Sequence, residues 1–427
     1  MIGFVGLSHL GIVYGSATAA KGFDVLGFDP DSKLCDNLTA GLLPVSEPDL
    51  PELIQSHRER LRFTSDPAQL AACDVVFFSL DVPTDSANQS NLTPLRNLID
   101  LTAPHIAPTA AVVILCQVPP GFTRTLAREK PNLGGALFYQ VETLVFGNAV
   151  ERALKPERYM IGCGDPRTPL PPAYAKWLVA FGCPLLPMRY ESAELAKISI
   201  NFFLVSSVTT TNTLAEVCER VGAEWSEIAP ALRLDKRIGP HAYLGPGLGL
   251  GGGNLERDLV TVQTLAAQHG TEAGVVAAWQ LNSRYRRDWA LRKLHEAVLG
   301  QTENPALAIW GLAYKIDTHS TKNSPSLALI SALEPFEKAA YDPQVRIETG
   351  SIPNFSQAPT ALNACRGADV LIVMTPWKEF AGIPPAQIKA VMRGNVMIDP
   401  FGALDRAEAE AAGFSYHRMG SPAQKRS

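Results

Sequence analysis

Short apolar runs alternate with longer stretches of helical periodicity through about the first 160 residues of the chain. The runs lie at residues 2–5, 25–28, 75–80, 112–115 and 160–161. This alternation is typical of strands joined by helices. It predicts a parallel, doubly wound sheet covered by helices on both faces.

A long helix is predicted at about residues 192–221. Apolar residues such as Ala193, Ala196 and Ile200 recur at helical spacing, and no glycine or proline occurs before Gly222. A glycine-dense segment at residues 245–253 then breaks the pattern, and two further helical stretches continue to about residue 298. The middle of the chain is therefore expected to be helical.

A second alternating region follows a polar link at about residues 300–305. Its apolar runs at 307–310, 339–341, 370–374 and 396–398 predict another set of strands. The fold class is thus α/β, with two Rossmann-like doubly wound α/β domains joined by a long central helix and a helical middle domain. The expected boundaries are 1–190, 191–299 and 300–427, and the last dozen residues are expected to be frayed.

Composition is that of an ordinary globular protein. The 427 residues suit two or three domains, with 46% hydrophobic and 19% charged positions. A net charge of -4 gives no reason to expect nucleic acid or an anionic membrane as partner. No run approaches the roughly 18 apolar residues that span a bilayer. The chain enters a strand at once, without a basic leader, which favours a cytoplasmic protein.

Cysteine usage favours neither a disulfide framework nor a metal site. The seven cysteines are scattered and form no Cys-x-x-Cys pair. They are expected to be small buried side chains in a reducing compartment. No bound metal is predicted.

The first strand is followed by a glycine loop that opens a helix. Residues 6–11 follow the G-x-G-x-x-G pattern at Gly6 and Gly11, with Ser8 at its second glycine and Leu10 beside the last. Such a turn presents backbone N–H groups and the positive helix end to a pyrophosphate. Asp29 closes the second strand, where a carboxylate accepts hydrogen bonds from ribose hydroxyls and repels a 2'-phosphate. The cofactor is therefore predicted to be NAD rather than NADP.

Several segments together resemble the UDP-glucose/GDP-mannose dehydrogenase family over nearly the whole chain. Their order and spacing carry the resemblance more than any single motif does. The matching segments are residues 6–11, 47–50, 82–84, 118–121, 194–197 with Asn201, 237–239, 249–252, Lys315 with 324–325, 341–343, and 368–369 with 375–377.

The resemblance implies an enzyme that oxidises the hexose of a nucleotide sugar, a UDP- or GDP-hexose, with NAD, for polysaccharide biosynthesis. It labels residues 1–190 as the NAD-binding domain, 191–299 as a central dimerisation domain and 300–427 as the domain that binds the nucleotide sugar. It also implies a homodimer.

The resemblance assigns catalytic roles to a few polar side chains. Lys197 and Asn201 lie four apart, so they share one helix face, where an ammonium and a carboxamide suit an oxygen that gains negative charge. Asp258 matches the acid that moves the hydroxyl proton. Glu142 matches a glutamate of the substrate loop.

Further residues are assigned to the two ligands by the same resemblance. The cofactor would also contact Val82, Pro83, Thr84 and Gln117. The substrate would contact Glu142, Lys197, Asn201, Arg237, Tyr243, Gly249, Gly251, Gly252 and Lys315. Arg237 is expected to reach the substrate of a neighbouring subunit, and the glycines are expected to let backbone approach the sugar.

The sequence departs from the family at the centre of its chemistry. Asn254 stands where the family has the cysteine that captures the aldehyde, and a carboxamide has no comparable nucleophilicity. Gln117 stands at a threonine position, Phe146 at a second glutamate and Phe401 at an arginine found in many members. These changes favour an atypical member that has lost the second half-reaction.

Four functions remain open. The leading one is a two-electron interconversion of a hexose alcohol and its carbonyl. The others are a redox-neutral C5 epimerase acting through transient oxidation, a full four-electron 6-dehydrogenase working through the hydrated aldehyde, and a non-catalytic nucleotide-sugar-binding protein. A simpler hydroxyacid dehydrogenase is disfavoured because it lacks the second α/β region.

Overall fold

In a computed structural model that describes residues 1–85, 87–348 and 350–422, the chain divides into two units, Met1–Ile200 and Asn201–Ser427. The first unit contains the glycine loop, and the second contains the glycine-dense segment. The predicted three-part division at residues 190 and 299 remains a prediction.

Most strands of the first unit are short buried apolar runs. They are β1 (Ile2–Val5), β2 (Val25–Phe28), β3 (Leu61–Thr64), β4 (Val75–Phe78), β5 (Ala111–Ile114), β6 (Ala136–Gln140), β7 (Tyr159–Cys163) and β8 (Leu185–Arg189). They form one sheet in the order β3-β2-β1-β4-β5-β6-β7-β8, in which β6 and β7 are antiparallel and the other neighbours are parallel.

Helices cover both faces of this sheet. They are α1 (His9–Ala20), α2 (Ser32–Thr39), α3 (Leu50–Ser56), α4 (Thr93–Thr102), α5 (Phe122–Glu129), α6 (Ala149–Leu154), α7 (Pro172–Val179) and the start of α8 (Tyr190–Val221). Alternate residues of the central strands enter different cores: Phe4 and Phe77 pack in one, Val5 and Phe78 in the other. The doubly wound architecture predicted from the sequence is confirmed.

The second unit joins a helical region to a second parallel sheet. Its helices are the rest of α8, α9 (Trp225–Leu234), α10 (Asn254–His269), α11 (Gly274–Arg287), α12 (Trp289–Leu294), α13 (Pro325–Ala332), α14 (Ala361–Ala364), α15 (Pro385–Val391) and α16 (Arg406–Ala411). Its strands are β9 (Leu307–Trp310), β10 (Lys338–Tyr341), β11 (Phe355–Gln357), β12 (Val370–Val373), β13 (Val396–Ile398) and β14 (Ser415–His417). The sheet order, β11-β10-β9-β12-β13-β14, repeats the pattern of the first six strands of the other sheet.

The expectation of a frayed end is wrong for residues before 423. Strand β14 lies within the last dozen or so residues, and Gly420 accepts a hydrogen bond from the backbone of Trp225 (2.9 Å) and donates one to Glu219 (3.1 Å). The segment is ordered because these backbone groups find partners. Residues 423–427 lie outside the described part of the chain.

The helices were compared with what a membrane-spanning helix requires. Within the described residues, none of them combines the length and the apolar character that crossing a bilayer requires.

A buried carboxylate holds the carboxyl edge of the second sheet together. Asp342 follows β10, is fully buried, and accepts five hydrogen bonds. Its donors are the backbone N–H groups of Leu312 (2.6 Å), Ala313 (3.0 Å), Gln344 (2.8 Å) and Val345 (2.8 Å) and the indole of Trp377 (3.1 Å). One side chain therefore fixes the loops after β9, β10 and β12.

Replacing this carboxylate by an amide is expected to destabilise the second unit. In Asp342→Asn an NH2 group must face N–H donors, which leaves buried donors unsatisfied and costs about 2–4 kcal/mol. Urea unfolding of the full chain measures the loss. The matched control is Asp317→Asn, an exposed position with φ of 59° that asparagine adopts readily. Equal stability of the two variants would contradict the assigned role of Asp342.

Candidate active site

The loop between β1 and α1 is closed by a contact that only glycine permits. A Cβ atom at Gly11 would lie 2.1 Å from the carbonyl oxygen of Gly6. Gly6 itself has a φ of 93°, in the left-handed region. The first turn of α1, which contains the buried Leu10, is therefore held directly against the end of β1.

Ser8 occupies the second glycine position without disrupting the loop. Its hydroxyl accepts a hydrogen bond from the backbone of Asp81 (2.9 Å) and donates one to the carbonyl of Ser79 (3.1 Å). Both partners follow β4. The serine thus ties the loop to the neighbouring strand.

Asp29 lies at the end of β2, as the sequence predicts for a ribose-binding acid. One carboxylate oxygen accepts from the backbone of Leu7 (2.9 Å) and the other from that of Asp31 (3.0 Å). The carboxylate is thus fixed beside the loop. A helix N-terminus with an acid beside it fits an adenine dinucleotide: the N–H groups suit its pyrophosphate and the acid its ribose.

The other predicted cofactor residues lie at the same edge of the sheet, because the carboxyl ends of parallel strands meet there. Val82 is buried after β4, Pro83 is exposed, and Thr84 forms an isolated bridge with Ser90. Gln117 follows β5 and is nearly buried.

Lys197 and Glu142 form an ion pair in the first unit. The ammonium nitrogen of Lys197 lies 2.6 Å from Oε1 of Glu142 and also donates to the backbone carbonyl of Glu142 at 2.9 Å. Both side chains are mostly buried. These contacts hold the Lys197 side chain in one position, whereas a solvated lysine on a helix surface would be flexible.

Asn201 and Asp258 form the corresponding pair in the second unit. The Asn201 amide donates to Oδ2 of Asp258 at 2.5 Å, and the Arg257 guanidinium lies 3.6 Å from Oδ1. Asp258 is buried in the first turns of α10. Lys197 and Asn201 lie one turn apart in the continuous helix α8, so they share a face as predicted.

The glycine-dense segment is anchored by protein contacts. A Cβ at Gly249 would lie 2.4 Å from the Ser283 carbonyl oxygen, and one at Gly252 would lie 2.9 Å from the Tyr314 ring. Gly251 also faces Tyr314, at 3.2 Å. Packing within the second unit therefore favours glycine at positions 249 and 252, and it leaves little room for a side chain at Gly251.

Asn254 is the first residue of α10 and is exposed. It precedes Asp258 by four residues, so the two share a face of the helix. Lys315 follows Tyr314 and is half-buried, with its ammonium 5.8 Å from the ring centroid of that tyrosine.

Arg237 and Tyr243 are exposed. The Arg237 guanidinium makes two hydrogen bonds to the carboxylate of Asp235, at 3.0 and 2.7 Å. The backbone carbonyl of Tyr243 accepts a hydrogen bond from Thr211 at 3.3 Å. These hydrogen bonds join the two predicted substrate residues to Asp235 and Thr211.

No cysteine of the chain has the environment of a nucleophile. All seven are free; Cys183 is half-buried and the other six are buried. Burial raises the pKa of every one of these thiols, that of Cys73 to about 11 and that of Cys365 to about 12. Each sulfur is therefore protonated near neutral pH, so none of the seven offers a reactive thiolate.

Phe146 forms part of a cluster that the sequence did not predict. Its ring stacks on that of His9, with centroids 4.3 Å apart, and His9 Nε2 lies 3.0 Å from Oε2 of the buried Glu47. Glu47 also accepts from the backbone of Gly147 (3.2 Å) and Ala149 (2.8 Å). Phe146, which the resemblance aligns with a glutamate, thus packs against the first residue of α1.

Phe401, the remaining departure, packs against the core of the second sheet. Nothing in the structure explains why an aromatic ring stands at this position.

Three features together define a dinucleotide-dependent dehydrogenase. They are the strand order β2-β1-β4, the glycine loop that opens α1 and the acid that closes β2. Three models of one family match successive parts of the chain. They describe the NAD binding domain (residues 1–178), the central domain (191–284) and the UDP binding domain (308–406). The chain belongs to the UDP-glucose/GDP-mannose dehydrogenase family.

Relatives match nearly the whole chain. UDP-glucose 6-dehydrogenase TuaD of Bacillus subtilis is 27% identical, with 99% of this chain and 93% of the relative covered. UDP-glucose 6-dehydrogenase of Rhizobium meliloti is 28% identical, with 99% of both covered. The solved structure of a UDP-glucose dehydrogenase from Pyrobaculum islandicum superposes with a TM-score of 0.85 at 25% identity, with 97% of this chain and 96% of the other covered. The resemblance in the sequence is confirmed, and the protein is an NAD-dependent enzyme of this family.

The position of Asp29 predicts that NAD binds at least tenfold more tightly than NADP. A 2'-phosphate would meet a fixed carboxylate there, and the repulsion of like charges lowers affinity. Titrating the full chain with each nucleotide measures both dissociation constants. Asp29→Asn should narrow the difference, whereas Asp66→Asn, the same change at an exposed position elsewhere in this unit, should not. NADP binding as tight as NAD binding would refute the role of Asp29.

Proposed function

We propose that this protein catalyses a two-electron oxidation of a hexose alcohol in a nucleotide sugar to its carbonyl, with NAD as the acceptor. The observation that carries the proposal is Asn254, which stands at the start of α10 where the family resemblance places the nucleophilic cysteine. The relatives named UDP-glucose 6-dehydrogenase and the match to a UDP binding domain support a UDP-sugar as substrate.

The Lys197–Glu142 and Asn201–Asp258 pairs support the first oxidation step. When bound, NAD would accept the hydride that leaves the carbinol carbon. The Lys197 ammonium, held by Glu142, stabilises the substrate oxygen as its proton departs, and Asp258 receives that proton through water. Asn201 holds the Asp258 carboxylate by its 2.5 Å hydrogen bond. The alcohol thus loses one hydride and one proton, and a carbonyl forms.

A second oxidation by the thioester route lacks its nucleophile. That route needs a thiolate to add to the aldehyde, so that a second hydride can leave and a thioester can form. The nitrogen lone pair of the Asn254 carboxamide is delocalised, and the seven cysteine thiols are buried or half-buried with raised pKa values. The aldehyde is therefore released.

Release of the aldehyde makes the reaction reversible. Oxidation of an alcohol by NAD is uphill at neutral pH, and the hydrolysis of a thioester is what would make it irreversible. Without that step, a partner enzyme must consume the aldehyde, or the protein works chiefly as a reductase.

Two alternatives are tested by the same assay. A protein that only binds nucleotide sugars has no need for the Lys197–Glu142 and Asn201–Asp258 pairs, which argue for chemistry. A C5 epimerase would use the same first step, because a carbonyl at C6 acidifies the C5 proton. Deuterium from solvent at C5 without net NADH would identify it.

The wild-type protein is expected to form one NADH per sugar consumed and to yield a carbonyl product. The equilibrium should favour the alcohol until hydroxylamine traps the aldehyde. NADH absorbance and mass spectrometry of the product, over a panel of nucleotide sugars, measure the stoichiometry. Two NADH and a uronic acid from the unmodified chain would overturn the proposal.

Introducing a thiol at residue 254 tests whether the thioester route lacks only its nucleophile. Asn254→Cys should form a covalent adduct with the sugar that intact-mass measurement detects, but it should release acid slowly because Gln117 and Phe146 are unchanged. Asn363→Cys, which adds a thiol at an exposed helical position, is the control and should form no adduct.

A homodimer built on α8 is a further expectation. This helix exposes apolar side chains, and Phe203 is 78% exposed while its neighbour Phe202 packs on Trp279. The other exposed apolar residues of α8 are Leu195, Leu214, Val217 and Val221. An apolar face of this kind favours association.

Sedimentation at micromolar concentration should therefore show a dimer, and Phe203→Glu should shift it to a monomer because a charge would be buried in the interface. Leu42→Glu introduces the same charge at an exposed leucine outside α8 (62% exposed) and should leave the dimer intact. A monomeric wild-type chain would refute the interface and, with it, the proposed reach of Arg237 into a neighbouring copy.

A further inference from the structure

Asp81 lies over the N-terminus of helix α1. It follows β4, and β4 pairs directly with β1, so the two strands end side by side. Its backbone N–H donates to the Ser8 hydroxyl, and its carboxylate oxygen Oδ2 lies 3.5 Å from the backbone nitrogen of Leu10 in the first turn of α1. The carboxylate is therefore near the free N–H groups that open this helix.

The same N–H groups are those that a dinucleotide pyrophosphate uses. The positive end of a helix and its unpaired N–H groups attract one anion strongly, and a second anion close by is repelled. Asp81 is a protein anion in that position, whereas Asp29 lies at the ribose end of the site and leaves the helix end open. The Asp81 carboxylate and the bound cofactor thus compete for one patch of positive potential.

Several charged and titratable groups surround this carboxylate. His9 faces it from α1, Glu142 from the loop after β6, and the protonated thiol of Cys116 from the end of β5. Desolvation raises the pKa of the Asp81 carboxyl, the Glu142 carboxylate acts in the same direction, and the Ser8 hydroxyl and His9 offset part of the effect. Glu142 is itself neutralised by Lys197.

We propose that Asp81 sets the affinity of the cofactor site by competing with the NAD pyrophosphate for the N-terminus of α1, so that cofactor binding takes up a proton. This role concerns binding of the cofactor and is independent of how many electrons the enzyme removes from its substrate.

The direction of the pH dependence follows from the charges. The bound pyrophosphate is a further negative neighbour, so the pKa of Asp81 is higher in the complex than in the free protein. Below the pKa of the free protein, Asp81 is protonated in both states and affinity does not change with pH. Between the two pKa values affinity falls as pH rises, by at most tenfold per pH unit for one proton. Above both values it is constant again.

Isothermal titration of the full chain with NAD tests the proposal. Measuring the heat in two buffers of different ionisation enthalpy gives the number of protons taken up on binding. This number should lie between zero and one. The affinity for NAD should also be weaker at higher pH. Asp81→Asn should bind NAD at least tenfold more tightly than wild type at high pH, without proton uptake. Asp85→Asn removes a charge from the same segment, where the carboxylate accepts from Ala87 and Gln89, and should behave as wild type.

ADP-ribose locates the competing group. It keeps the pyrophosphate and lacks the nicotinamide cation, so it should show the same proton uptake as NAD. Uptake with NAD alone would assign the effect to the nicotinamide end, and uptake that persists in Asp81→Asn would assign it to a different group; either result overturns the proposal. The proposal is also overturned if NAD binding to the wild-type protein takes up no proton at any pH. Thermal unfolding of each variant confirms that it is folded.

Discussion

The contact between the Gly6 carbonyl and the backbone of Gly11 is the constraint on which the cofactor site depends. Because no side-chain atom fits at residue 11, α1 starts directly at the end of β1 and its N–H groups remain at the edge of the sheet. Ser8 joins this turn to β4 and Asp29 joins it to β2. Three adjacent strands thus hold the loop, and the polar groups after these strands lie at one edge of the sheet.

The apolar runs predicted the central strands well because those strands are buried on both sides. β3 was not predicted, since Arg62 is exposed and the other residues of the strand are only partly buried. β8 contains Pro187 and is mostly accessible, so its sequence resembles a loop. Such strands depend on pairing with a neighbour rather than on their own composition. The sequence also did not predict that β7 runs antiparallel to β6, because the apolar pattern of a buried strand is the same in either direction.

Helical spacing was sufficient to place Lys197 and Asn201 on one face, but not to find what fixes them. Glu142 and Asp258 are 55 and 57 residues away along the chain, and only the tertiary fold brings them within hydrogen-bonding distance. Asp81 was missed for a similar reason: nothing in its local sequence shows which helix it faces. The adjacency of β1 and β4 in a Rossmann-like order is the signal that could have found it. The family resemblance drew attention to Asn254, and the structure adds that the seven cysteines are free and have raised pKa values.

The buried, protonated cysteines have a consequence for the conditions that this protein tolerates. Peroxide and alkylating reagents attack thiolates far faster than thiols, and an enzyme that depends on a reactive cysteine is inactivated through that residue first. In the proposed function that position is taken by the Asn254 amide, which neither reagent modifies, and six of the seven cysteines are buried while Cys183 is half-buried. Oxidants would therefore inactivate this protein mainly after unfolding has exposed the sulfur atoms, and not by attacking a catalytic thiolate.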